Sequence, residues 1–485
     1  MSPRHALPDP DDVAPATPAQ ATPPPPPAAP VAAPAPATEP AARKPRKTHA
    51  HTHTHSHHGG PVENLAHFAK PLVVGLLTVI AVATAVGAIF LWPTHSDHPI
   101  PVQFRSADGG PIKTVQASVI AQSRADCGTM GAGSVSEQQP MFDDDSDTTG
   151  ACIASVAELT SGPDKGNYTV LSTATNRAQS GTGPDHYETH GSPDDPIAGQ
   201  PTFKVGDKLR LSMSSVPDGG TRYSFFDYQR GIPLLFWAIA FVVAVVAVAT
   251  WRGLRAVIGL AFAFAILAFF ALPSILDGHS PVAVAVVSAS AILFPVLYLA
   301  HGLSMRTSSA LLGTLASLGL AVGLSKVAVS TLSLTGLSGE STMSLQLYQG
   351  SISLSGLLLA GFVIGTLGVL NDVTITQASA TFELASVPGE SRMDAFRGGM
   401  RVGRDHIAST VYTLVFAYAG AALPLLLLFY VAGQPVTGLI TGEAVAIELA
   451  RTFVGGIALA LSVPLTTAIA AALVTPIAKE PATTA

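Results

Sequence analysis

Long, nearly uninterrupted apolar runs fall at 71–92, 232–250, 254–273, 281–300, 308–332, 352–376, 408–431 and 447–474. A helix needs roughly 20 such residues to cross a bilayer, so this pattern predicts about eight transmembrane helices. Between the first and second runs the pattern changes. Residues 93–229 carry glycine, proline and acidic turns such as "MFDDDSDTTG", separated by short alternating stretches. "NYTVLS" and "FKVGDKLRLSMSS" have the period-two alternation of half-buried strands. The predicted fold class is therefore a polytopic α-helical membrane protein with a β-rich extracytoplasmic domain between helices 1 and 2.

Ahead of the first run, residues 1–69 are dominated by alanine and proline, with almost no large apolar residues. Such a composition cannot offset the entropy of ordering and predicts a disordered tail. Residues 71–92 lie too deep in the chain and are too long for a cleavable signal peptide, and so read as an anchor. The domain division is then 1–69 tail, 71–92 anchor, 93–229 β-rich domain, 230–475 seven-helix membrane domain and 476–485 C-terminal tail.

Composition agrees: the 485 residues are 48% apolar and only 12% charged, with a mean hydropathy of +0.41. That is too little charge to coat a soluble body of this size. The net charge of −6 matters less than its distribution. Arg252, Arg255, Arg306, Arg392, Arg397, Arg401 and Arg404 fall on the side shared with Arg43, Lys44, Arg46, Lys47 and Lys70. The opposite short loops, "LPSILDGHSP" and "AGQPVTGLITGEA", hold no Lys or Arg. The positive-inside rule then places both termini in the cytoplasm. No basic nucleic-acid module accompanies these charges.

The most informative stretch is "GFVIGTLGVLNDVTITQASATFEL" (361–384). On a helix, Gly361, Gly365, Gly368, Asp372, Thr376, Ser379 and Glu383 share an arc of about 80°. The glycines suit close helix packing, and Thr376, Gln377 and Ser379 continue a polar seam past Asp372. Two readings are open. The helix ends near Leu370 and Asp372 is an exposed cap, or Asp372 is an intramembrane group on a pathway for protons, ions or substrate, as such groups are by default. In the next run, "GRDHIASTVYTLVFAYAG", Asp405, His406, Ser409, Thr410, Tyr412 and Thr413 are candidates for the same pathway; alternatively Asp405 and His406 only cap the helix entrance. "SRMDAFRGGMR" predicts a short amphipathic helix on the inner leaflet, started by Ser391 with Asp394.

Other features carry less. Cys127 and Cys152 both lie in the β-rich domain and are either a disulfide, worth about 3 kcal/mol, or two free thiols. His49, His51, His53, His55, His57 and His58 suit Zn, Ni or Cu, but in a segment with no fixed geometry, so no metal site is assigned. Lys326 is placed to snorkel, and Arg230 with Tyr228 to anchor the entry of the second helix. There is no H-E-x-x-H, P-loop, G-x-S-x-G or C-x-x-C motif, so neither an enzyme nor a cofactor is expected.

The blocks "YSFFDYQRGIPLLFWAIAF", "WRGLRAVIGL", "LAHGLSMRTSSALLGT", "GTLGVLNDVTITQASATFEL", "FRGGMRVGRDHIASTVYTLVFAYAGAALPLLLLF" and "RTFVGGIALALSVPLTTAIAAAL" resemble, in order, the YibE/F family of bacterial multi-pass membrane proteins. The resemblance covers roughly 205–475 and implies membrane class and topology, not an activity. Asp372, Thr376, Gln377 and Ser379 lie in one matching block, and Arg404, Asp405 and His406 in another. The tail lies outside it. The layout also resembles, at the level of architecture, the membrane halves of SecD/SecF and RND permeases, in which an acidic membrane helix serves proton-driven work. The expectation is an ion- or proton-coupled permease or export component. The rival is a non-transporting scaffold or sensor whose β domain binds an envelope protein. The partners expected are the lipid bilayer, an envelope protein or a small-molecule or ion substrate, and optionally further copies of the chain.

Overall fold

In the computed structural model the described residues are 68–94, 98–106, 109–127, 131–141, 150–179, 192–216, 220–433, 435–475 and 477. The histidine-rich segment, the N-terminal basic cluster up to Lys47 and most of the C-terminal tail lie outside them.

Alternation builds the β domain. Its strands are β1 (Lys113–Ala125), β2 (Val135–Ser136), β3 (Cys152–Leu159), β4 (Tyr168–Ala174), β5 (Lys208–Ser215) and β6 (Thr221–Tyr228). They form one antiparallel sheet in the order β2-β4-β3-β1-β5-β6. The alternate residues Val115, Ala117 and Val119 of β1, with Leu209 and Leu211 of β5 and Tyr223 of β6, turn inward to a shared core. The sheet curls until its ends meet: the Tyr223 amide donates to the Gly133 carbonyl, and the Gly133 amide donates to Val170. The result is a half-barrel. Cys127 and Cys152 are joined in a disulfide at the end of β1, where Ala125 pairs with Cys152.

Ten helices among the described residues account for the rest: α1 (Ala69–Phe90), α2 (Gly231–Ile266), α3 (Leu272–Leu276), α4 (Pro281–His301), α5 (Met305–Thr331), α6 (Glu340–Tyr348), α7 (Leu354–Ala385), α8 (Arg392–Val431), α9 (Val436–Thr441) and α10 (Glu443–Leu473). Among the described residues seven helices are long and apolar enough to span a membrane, the second running Gly231–Leu276. The sequence predicts two helices in that second segment, and it does divide. Thr250 sits at φ 53°, ψ −134°, a conformation that a β-branched residue avoids. Beyond it, a Cβ on Gly253 would lie 2.5 Å from the Val245 carbonyl oxygen. In a straight helix those residues would be about 12 Å apart, so the chain doubles back sharply there. The separate amphipathic helix predicted at 391–401 is not separate. Ser391 and Asp394 form a capping box, as expected, but the helix they start continues unbroken to Val431.

The bundle centres on α5, α7 and α10, which pack mutually; α8 lies on α7 and α10, and α4 on α7, α5, α1 and α2. Two polar anchors mark one end. Glu443 accepts from the amides of Thr335 (2.6 Å) and Gly336 (2.8 Å). Asp277 accepts from the Thr94 amide and from its hydroxyl at 2.9 Å, with His98 Nε2 at 3.1 Å, tying the exit of α1 to the α3–α4 turn. The opposite end is marked by Arg306 on Glu383 (2.5 Å) and by Arg392 Nε on the Val474 carbonyl (2.8 Å).

The Thr94 amide bond, then its hydroxyl bond and the charge of His98, hold the Asp277 carboxyl below the usual carboxylate range. A depressed carboxyl stabilises the fold above its unfolded value and loses that contribution as pH falls through the folded one. The clamp is therefore intact at neutral pH and opens only below the usual carboxylate range. Asp277→Asn is expected to speed amide exchange around Thr94 and His98 at neutral pH and to remove its acid dependence; unchanged exchange would refute the clamp.

Candidate functional site

The helix carrying Asp372 does not end at Leu370. α7 continues to Ala385, so Asp372 lies about 16 Å along it from Glu383 and about 27 Å from Leu354. The reading of Asp372 as a terminal cap is thereby removed. What surrounds the carboxylate differs from the expected packed seam. Gly361, Gly368 and Asp372 lie on the exposed side of α7, and a Cβ on Gly361 or Gly368 would meet no neighbour within 4 Å. These two glycines do not pack helices in this chain. Gly365 is approached by a neighbour, since the Tyr418 hydroxyl would lie 2.9 Å from its Cβ.

The face that does pack is the opposite one. Thr366, Leu370, Thr374, Gln377 and Thr381 are buried. Thr374 bonds Thr314 across to α5 at 2.5 Å, and Gln377 Nε2 donates to the Gly399 carbonyl (2.6 Å) and to Thr467 (2.8 Å). Buried amides and hydroxyls in lipid need such partners, and they pin α7 to α8 and α10. The packing glycines are Gly399 and Gly403 of α8. A Cβ on Gly403 would lie 2.4 Å from Val463 and 2.8 Å from Gln377, and one on Gly399 would lie 2.8 Å from Thr381. Gln377 is thus a structural node, not a lining group of the open face.

The remaining predicted pathway groups separate. Thr376 donates to the Asp372 carbonyl, Ser409 and Thr410 to that of His406, and Thr413 to that of Ser409. Each hydroxyl bonds the preceding turn of its own helix. Asp405 is exposed and His406 half-buried, and neither forms an ion pair with Asp372 among the described residues. Ser379, two turns beyond Asp372, lines a cleft with His301 and Arg252.

Toward the other end of the open face is a pair that sequence reasoning passed over. Glu448 and Arg451, one turn apart on α10, form an ion pair at 3.1 Å, each about three-quarters buried at the side chain. The Arg451 guanidinium lies 5.6 Å from the Phe362 ring and 5.7 Å from that of Tyr418. A charged i,i+3 pair inside the apolar run "AVAIELARTFVGG" was the available signal. The open face of α7 thus runs from Glu448, Arg451 and Tyr418, past Gly365 and Gly368, to Asp372, and on to His301 and the arginine cleft. Elsewhere, Lys326 is exposed on α5, and Arg230 stacks 5.6 Å over Tyr228 while pairing with Asp227 at 2.6 Å. No cluster of three metal-ligating side chains occurs among the described residues.

Residues 237–476 match the model of a family described as YibE/F-like protein. No curated protein and no solved structure matches the chain.

Proposed function

The chain belongs to the YibE/F-like family, and from that premise we propose that it is an ion- or proton-coupled permease of a bacterial plasma membrane, with Asp372 as the group that takes up and releases the coupling ion. One observation carries the reading: a carboxylate near the middle of α7 faces an open side of the bundle instead of a fixed partner. In hydrocarbon a charge there costs about 2.5–3.5 kcal/mol even on the lenient scale. An isolated structural carboxylate has no reason to be kept at that cost. One that must exchange a proton or cation between two sides has to stay accessible, and ionisable groups lie both before it (Glu448, Tyr418) and after it (His301).

The charge distribution supports an orientation. The short connections at the end holding Asp277 and Glu443 contain no Lys or Arg, whereas Arg252, Arg306, Arg392 and Arg397 gather at the opposite end. The positive-inside rule then puts the arginine end and both termini in the cytoplasm, with the half-barrel outside. A disulfide in that domain fits an oxidising space. The bend at Thr250 leaves two apolar arms in the second span, which supports eight crossings.

The half-barrel supports the second reading, a scaffold that holds an envelope partner. Deleting 95–225 and substituting Asp372→Asn separate the two. A permease loses coupled flux with the substitution; a scaffold keeps its activity with the substitution and loses it with the deletion.

A further inference from the structure

The cleft at the arginine end is a site in its own right. It encloses about 710 Å³, within the range of small-ligand pockets. Arg252 and Arg255 enter it from α2, His301 from the end of α4, and Arg306 with Ser304 and Thr307 from the start of α5. Three arginines from two elements thus line one space, with the His301 imidazole beside them. Like charges brought together this way repel unless an anion joins them. Arg306 has Glu383 at 2.5 Å, but among the described residues neither Arg252 nor Arg255 has a carboxylate within 4 Å.

The backbone enforces the convergence. Arg252 and Arg255 reach the cleft because the chain reverses at Thr250, whose left-handed φ of 53° is strained for a β-branched residue. Gly302, at φ 80°, makes the tight turn that sets His301 and Ser304 on one rim. The first turn of α5 adds the partial positive charge of a helix start.

We propose that this cleft binds a phosphate group. Arginine forks match phosphate oxygens in pairs and shed water readily, and the hydroxyls of Ser304 and Thr307 offer further donors. The phosphate belongs either to the headgroup of an acidic phospholipid or to a soluble phosphate compound. Its recognition is independent of whether Asp372 couples transport.

Trp251 is a built-in reporter, because Arg255 lies 5.8 Å from its ring. The experiment uses the full chain in neutral detergent with Trp92 and Trp237 changed to Phe, titrated separately with inorganic phosphate and with phosphatidylglycerol micelles. A saturable change in Trp251 emission is expected with at least one probe. Arg252→Gln with Arg255→Gln should weaken it about tenfold or more, since each charge-assisted bond lost is worth about a factor of ten. Arg397→Gln with Arg404→Gln, equal in charge but outside the cleft, should leave it within about twofold. Response to phosphate identifies a soluble ligand; response to phosphatidylglycerol alone identifies a lipid headgroup. No saturable response to either probe, or equal weakening in both double variants, overturns the proposal.

Discussion

Asp372→Asn is expected to abolish proton entry into proteoliposomes under an imposed membrane potential, to the level of protein-free vesicles, while the thermal unfolding midpoint stays where it was. The two halves of that result come from separate features. Asparagine keeps the shape of the carboxylate, and Asp372 is on the exposed side of α7 with no ion pair among the described residues. Such a substitution changes stability by no more than about 0.5 kcal/mol. Asparagine cannot take up a proton, however, and Glu448 and His301 lie at opposite ends of the open face, too far apart to hand one on without an intermediate group. Asp372→Glu should restore part of the flux. If Asp372→Asn conducts like the unaltered chain, Asp372 is not the coupling group.

The second large effect is structural. Gly403→Val is expected to destabilise the bundle by about 3 kcal/mol and to lower the yield of folded protein sharply. Its Cβ alone would press into Val463 at 2.4 Å and Gln377 at 2.8 Å. Gln377 cannot retreat without losing its bonds to Gly399 and Thr467. Gly361→Ala and Gly368→Ala, by contrast, face open space and should cost little in the isolated chain. Unfolding midpoints of the three variants in one detergent check this ordering; equal losses at all three would mean that the open side of α7 is packed after all.

That contrast also shows what the amino-acid pattern could and could not convey. The apolar runs located the membrane helices because spanning length is a one-dimensional property. Alternation located β4 and β5 for a similar reason. Which face of α7 turns inward was not legible. Two stripes on that helix are rich in small and polar residues, one through Gly361, Gly368 and Asp372, the other through Thr366, Thr374, Gln377 and Thr381. In water an apolar–polar contrast would decide between them; in lipid both the core and the surroundings are apolar, and the contrast disappears. Of the two glycines that pack against this face, Gly399 sat in the segment 391–401, whose amphipathic pattern suggested a surface helix, and Gly403 at the head of the next run. Placing Asp372 and His406 on one pathway followed from helix order, whereas the histidine that shares a cleft with α7 is His301, from α4. The Thr250 reversal was legible as a break, because the apolar runs stop at 250 and resume at 254 around Arg252, but a positive φ on a threonine has no signature of its own.

The most direct measurement is carbodiimide labelling of native membranes followed by peptide mass analysis. The reagents are one lipid-soluble and one membrane-impermeant, water-soluble carbodiimide. The expected result is an adduct on Asp372 from the lipid-soluble reagent alone, with Glu383 and Asp394, at the arginine end, open to the water-soluble one in inverted vesicles. An Asp372 that reacts as readily as Glu383 with the water-soluble reagent would contradict a carboxylate held within the membrane, and the permease proposal with it.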